Sequence, residues 1–244
     1  MLFATVDEGF IRSFDPATRA TGEYRKFANR INGLAFAPDG RLFACQDGGR
    51  RVIQFLADGT AAVTATRLDG AVHNHPSDLV IDRAGRVWFS DPYSKVLAFG
   101  PQIFPALDHA SVLRLELDER HAWKIRRVTH DTFAPRAVQL SPDEKTLYVA
   151  EGEIGRKGPR ELRAYAVRDD GSVGPYTVLH DGRGAVREVS GVWRIAVHIP
   201  QRRQNAERPG LQRAHLREAA RSGVVRQVAG AFFIVDFQKV YEDL

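Results

Sequence analysis

Three stretches of the chain share one pattern of apolar and polar positions. Asn32 to Asp47 reads NGLAFAPDGRLFACQD, Ser77 to Asp91 reads SDLVIDRAGRVWFSD, and Arg136 to Glu151 reads RAVQLSPDEKTLYVAE. Each is an apolar run, a polar turn and a second apolar run that ends in an acid, which predicts a β-hairpin. The turns PDG and RAG place Gly40 and Gly85 where a hairpin needs positive φ, and Pro38 and Pro142 preset φ at the turn entrance. In the third copy Glu144 takes the Gly position and Thr146 is an extra residue, so that turn is expected to be longer.

After each acid comes another alternating strand and a polar turn, in RVIQFLADGT, SVLRLELDER and LRAYAVRDDGS. The opening segment, LFATVDEGFIRSFDPATRATGEYRKF, matches this second half of the unit without its first half. Leu34 to Leu79 is 45 positions and Leu79 to Val138 is 59, the excess falling in the insertion YSKVLAFGPQIFPALDHAS. Units of four strands recurring every 40 to 50 residues or so are the signature of propeller blades. The expected fold is all-β, with about four blades' worth of pattern over residues 1–180.

Residues 181–244 read differently. From Gly182 to Val235 there is no Asp, although the first 181 residues hold sixteen, and Arg, Gln and Ala replace the strand and turn alternation. This Arg-rich tail is expected to be an atypical extension, read in or out of the ancestral frame, with a short helix over Leu211 to Arg221 as one option.

Charge follows the same division. The net charge is +5, yet residues 191–244 alone carry eight Arg and one Lys against three Glu and two Asp. The basic balance is thus a property of the tail and gives no reason to expect nucleic acid as a partner. The longest apolar stretch, Ala229 to Val235, is far short of the roughly 20 residues of a membrane span. MLFATVDEGFIRSF lacks the basic start and apolar segment of a signal peptide, so the expected location is cytoplasmic. The single cysteine, Cys45, sits in the apolar run LFAC and is expected to fill core. No GxSxG, HExxH, P-loop, GxGxxG or CxxC occurs, so serine-hydrolase, zincin, nucleotide and thiol-redox chemistry have no local support.

The candidate chemistry gathers at the start of each repeat. Asn32, Ser77 and Arg136 hold equivalent positions and are expected to face the propeller axis. His73, Asn74 and His75 form an H-x-H run just before the second repeat, a pattern able to hold zinc if Asp78 or Asp91 adds a ligand, or to line a channel mouth without one. Arg136 suits an anionic ligand, or an ion pair with Asp78, Glu151 or Glu153. Asp47, Asp91 and Glu151 end matching strands and are expected to anchor the hairpins.

NGLAFAPDGRLFACQDG, HPSDLVIDRAGRVWFSDP and PRAVQLSPDEKTLYVAEGE together resemble the SMP-30/gluconolactonase/luciferin-regenerating-enzyme (LRE)-like family over about three-quarters of the chain. That resemblance implies a six-bladed β-propeller, incomplete here, and a divalent-metal-dependent hydrolase that opens a sugar-type or small organic lactone. The implied cofactor is Ca²⁺, or alternatively Zn²⁺, Mn²⁺ or Mg²⁺, which would polarise the carbonyl and acidify a water. Carried over by position, the family's first metal ligand, a Glu, precedes Met1, the second, an Asn, falls on Arg136, and the third, an Asp, falls near Ser190. Arg136 has no lone pair for a cation. The resemblance places a substrate-contacting Asn at Ser77 and keeps the acid after it as Asp78. The expected substrate contacts are therefore Asn32, His75, Ser77, Asp78 and Arg136. Two other readings stay open: a non-catalytic propeller that binds a ligand or protein, and an incomplete product whose ring does not close.

Overall fold

The computed structural model describes residues 2–6, 8–15, 17–93, 106–152 and 160–180, and the backbone of 225–228 and 231–234. Strands β1 (Leu2–Thr5), β2 (Phe10–Phe14) and β3 (Thr21–Arg25) form a three-stranded antiparallel sheet. Three four-stranded sheets follow, each joining strands in chain order. The first holds β4 (Ile31–Phe36), β5 (Leu42–Gln46), β6 (Arg51–Phe55) and β7 (Ala61–Val63). After the short ribbon of β8 (Arg67–Leu68) and β9 (Ala71–Val72), the second holds β10 (Leu79–Ile81), β11 (Val87–Asp91), β12 (Ser111–Leu117) and β13 (Trp123–Arg127). The third holds β14 (Pro135–Leu140), β15 (Thr146–Glu151), β16 (Glu161–Val167) and β17 (Val173–His180). In the C-terminal stretch, β18 (Val225–Val228) pairs with β19 (Ala231–Ile234). The expected helix over Leu211 to Arg221 lies outside the described residues, and no described helix is long and apolar enough to cross a membrane.

The three repeats are the hairpins β4–β5, β10–β11 and β14–β15, and their turns form as the sequence dictates. Gly40 and Gly85 have φ of +86° and +79°, and each turn closes over five residues, with the Ala37 N–H on Arg41 O and the Asp82 N–H on Arg86 O. The third closes from Ser141 N–H to Thr146 O, one residue longer, and Glu144 takes up the left-handed conformation at φ +61°.

The sheets stack face to face in chain order, like blades, and each gap between them is filled by apolar side chains. Ala4 and Ile11 of the first sheet meet Ile31, Leu42, Ala44, Ile53 and Phe55 of the second. Phe43, Cys45 and Val52 meet Leu79, Val87, Phe89, Leu113 and Leu115 across the next gap. Trp88 and Val112 meet Val138, Leu140, Leu147, Val149 and Tyr165 across the last. Cys45 is fully buried and serves as core. The alternation of each strand thus feeds two interfaces, one per face, which is why both faces of β5 and β11 are buried throughout.

Because β4, β10 and β14 run antiparallel to β5, β11 and β15, the start of each first strand lies beside the end of each second. Ile31 pairs with Gln46, Ser77 N–H donates to Ser90 O, and Pro135 pairs with Glu151. All the candidate residues in the described segments therefore gather at one end of the stack.

Candidate active site at the mouth of the propeller

Two of the three equivalent positions sit in β-bulges. Pairing of β4 with β5 shifts between Ile31 and Leu34, and that of β14 with β15 shifts between Pro135 and Ala137. Asn32 and Arg136 lie inside those irregularities, where an extra residue re-aims a side chain away from the ladder. Both are half-buried. Ser77 is buried at 5% and is held by its backbone: its carbonyl accepts the Gly33 N–H at 2.8 Å and its N–H donates to Ser90 O at 2.9 Å. A Cβ at Gly33 would stand 2.8 Å from Asp78 Cα, so only glycine lets the two first strands approach this closely. Across the next gap Ser90 Oγ donates to Arg136 O at 3.1 Å.

Asp78, a candidate substrate contact, also ties two sheets together. It is 3% exposed and its carboxylate accepts the Val138 N–H at 3.0 Å, a side-chain bond between neighbouring sheets.

The H-x-H run divides in two. His73 is fully buried against the edge of Phe89, with Nε2 donating to Ala65 O at 3.1 Å, and burial lowers it to about 4, so it is neutral. His75 reaches back to the preceding sheet, where its Nδ1 lies 2.7 Å from Asp47 Oδ1. The two imidazoles therefore serve different partners rather than one zinc ion. Asn74 between them is buried, its N–H donating to Asp91 Oδ2 at 2.8 Å and its amide to the carbonyls of Asp91 and His109 at 3.1 Å each. Arg50, in the left-handed conformation, donates Nε to the carbonyls of His73 and Asn74 and so holds the run from the other side.

The acids that end the second strands each hold the segment leading into the first strand of their own sheet. Asp47 Oδ2 accepts Arg30 Nε at 3.0 Å, Asp91 accepts the Asn74 N–H, and Glu151 Oε1 accepts the N–H groups of Phe133, at 2.9 Å, and Ala134. Burial pushes Asp91 up to about 7 and also raises Glu151. Asp47 was the residue whose chemistry sequence alone did not show: its partnership with His75 spans 28 positions and two sheets.

The family model described as SMP-30/Gluconolactonase/LRE-like region matches residues 1–192. The chain belongs to this family. A gluconolactonase of Zymomonas mobilis is 25% identical over 163 residues, which is 66% of this chain and 43% of that protein. The structure of a gluconolactonase from Xanthomonas campestris superposes with a TM-score of 0.63 at 28% identity, over 72% of this chain and 57% of that one. A luciferin-regenerating enzyme superposes with a TM-score of 0.53 at 14% identity, over 74% and 56% of the two chains, a likeness of fold. The chain thus spans less than two thirds of the length of these relatives, and its fold is that of a β-propeller.

The divalent cation implied by the SMP-30/gluconolactonase resemblance is not matched by the residues described. Arg136 brings a guanidinium to one ligand position, Ser190 lies outside the described residues, and no group of three or more His, Cys, Asp or Glu able to hold an ion occurs among those described.

Proposed function

We propose that this chain is a hydrolase that opens the ring of a sugar-type or small organic lactone at the mouth of the propeller, in the cytoplasm. The observation that carries the reading is the convergence of Asn32, Ser77 and Arg136 at one end of the stack, two of them in bulges, in a chain of the gluconolactonase family. A lactone presents a carbonyl oxygen, a ring oxygen and hydroxyl groups. Asn32 offers both donor and acceptor to the hydroxyls, and the guanidinium of Arg136 suits the carbonyl oxygen, on which negative charge develops as the ring carbon becomes tetrahedral. Ser77 contributes a hydroxyl beside them, and His75 completes the contact set, while Asp78 holds the scaffold.

The test is ring opening by purified protein across a panel of sugar-type and small organic lactones, after chelation and again with Ca²⁺, Mn²⁺, Zn²⁺ or Mg²⁺ added. Turnover that survives chelation agrees with a guanidinium at Arg136, and turnover restored by one ion would assign the metal to residues beyond those described. Absence of turnover in cooperatively folded protein, with lactone still bound, would replace the enzyme by a binding propeller.

A further inference from the structure

Blade for blade, Asp47, Asp91 and Glu151 hold the same place, yet only Asp47 is paired with an imidazole. Asp91 and Glu151 accept backbone N–H groups of their own sheet, which is all that anchoring a loop requires. Asp47 accepts side-chain donors instead, Arg30 Nε at 3.0 Å from its own sheet and His75 Nδ1 at 2.7 Å from the segment entering the next. A carboxylate only accepts, so its contact with Nδ1 places the proton of neutral His75 on Nδ1 and leaves the Nε2 lone pair available. No hydrogen bond engages Nε2 among the described residues, and the ring keeps 12% of its surface open. In His73, two residues away, the tautomer is the opposite one and the ring is sealed in core.

We propose that His75 is the general base of ring opening and that Asp47, steadied by Arg30, is the residue that positions it; this rests on the lactone reading above. Nε2 takes a proton from a water, whose oxygen bonds to the lactone carbonyl carbon. Collapse of the tetrahedral species breaks the bond from that carbon to the ring oxygen, and the departing oxygen takes the proton back from Nε2. One water is consumed, the product is the open hydroxy acid, and His75 returns to its starting state. The charged groups packed around the ring are Asp47 and Arg30 on one side, and Arg50 and Asp91 along its own loop.

The experiment compares parent, His75→Gln and Asp47→Asn for lactone hydrolysis as a function of pH, together with nitrogen-15 NMR of the parent and Asp47→Asn imidazoles. The expected results are a kcat for His75→Gln lower by about 10²-fold to 10⁴-fold at nearly constant KM, with loss of the acidic limb of the profile. Asp47→Asn is expected to lose at least about tenfold and to displace that limb, because the imidazole loses the acceptor that fixes its tautomer. NMR is expected to show His75 protonated on Nδ1 in the parent and redistributed in Asp47→Asn. Full activity in His75→Gln, or a parent tautomer with the proton on Nε2, overturns the base while ring opening by the parent keeps the lactone reading. An Nδ1 proton in a parent that opens no lactone overturns the lactone reading and with it the base, leaving a structural pair. Should His75→Gln fail to fold, the Asp47→Asn profile and the tautomer decide.

Discussion

Asp47 and Asp91 end the second strands of adjacent sheets, 44 residues apart, and they have become different chemical objects. Asp91 is fully buried, takes the Asn74 N–H on Oδ2 and is pushed up to about 7 by loss of solvent. Asp47 binds a guanidinium and an imidazole, both of which keep some contact with water. A repeat therefore conserves the geometry of a position, here an acid that grips the loop beside it, and leaves the partner to decide whether that acid is scaffold or chemistry. Glu151, gripping two backbone N–H groups, stands with Asp91.

The largest effect that would break this division is on stability. Glu151→Ala strands the N–H groups of Phe133 and Ala134 and leaves Arg163, whose Nη1 is 3.8 Å from Oε2, without its buried acid. A cost of about 3 kcal/mol in urea unfolding is expected, with Asp91→Ala close behind. Asp47→Ala should cost no more than about 1.5 kcal/mol, since Arg30 and His75 can turn to water, yet it should lower lactone turnover the most of the three. Equal stability losses, or an order of activity that follows stability, would make the acids one class.

The hairpins were legible because each rule behind them is local: alternation, PDG and RAG turns, and an extra residue where Glu144 replaces glycine. What the acids bind was not legible. The backbone partners of Asp91 and Glu151 are set by how far a loop swings back, and the Asp47 to His75 contact joins two repeats whose sequences each make sense alone. The tie that Asp78 makes was hidden for the same reason, since its carboxylate reaches the Val138 N–H 60 positions further along, in another repeat. Ser190 and the tail lie outside the described residues.

A middle-sized effect sharpens the comparison at the two gaps. Between β4 and β10 the Gly33 N–H meets Ser77 O directly, whereas between β10 and β14 the Asp78 side chain spans the distance. Gly33→Ala pushes a methyl to within 2.8 Å of Asp78 Cα and must part the strands, at a cost of about 2 kcal/mol. The reverse change at Ala137, Ala137→Gly, is expected to leave the β10 to β14 gap intact. Differential scanning calorimetry would read both, and a neutral Gly33→Ala would mean that the close approach is not needed.

The smallest effect is a slope against pH, and it separates Asp91 from its neighbour His73. Folded Asp91 keeps its proton up to about 7 while the unfolded carboxyl releases it near 3.8, so stability falls as pH rises through that window. Folded His73 refuses a proton until about 4 while the unfolded imidazole accepts one near 6.5, so stability falls as pH drops through the overlapping range. The two slopes oppose each other, and Arg50 and Arg127 also act on Asp91. Asp91→Asn removes the first and keeps an acceptor for the Asn74 N–H. Relative to the parent, the variant should gain at least about 1 kcal/mol between pH 4.5 and 7.5, measured by urea unfolding. A difference that does not change with pH would mean that Asp91 is ionised in the folded protein and is held as a charge by the cations around it.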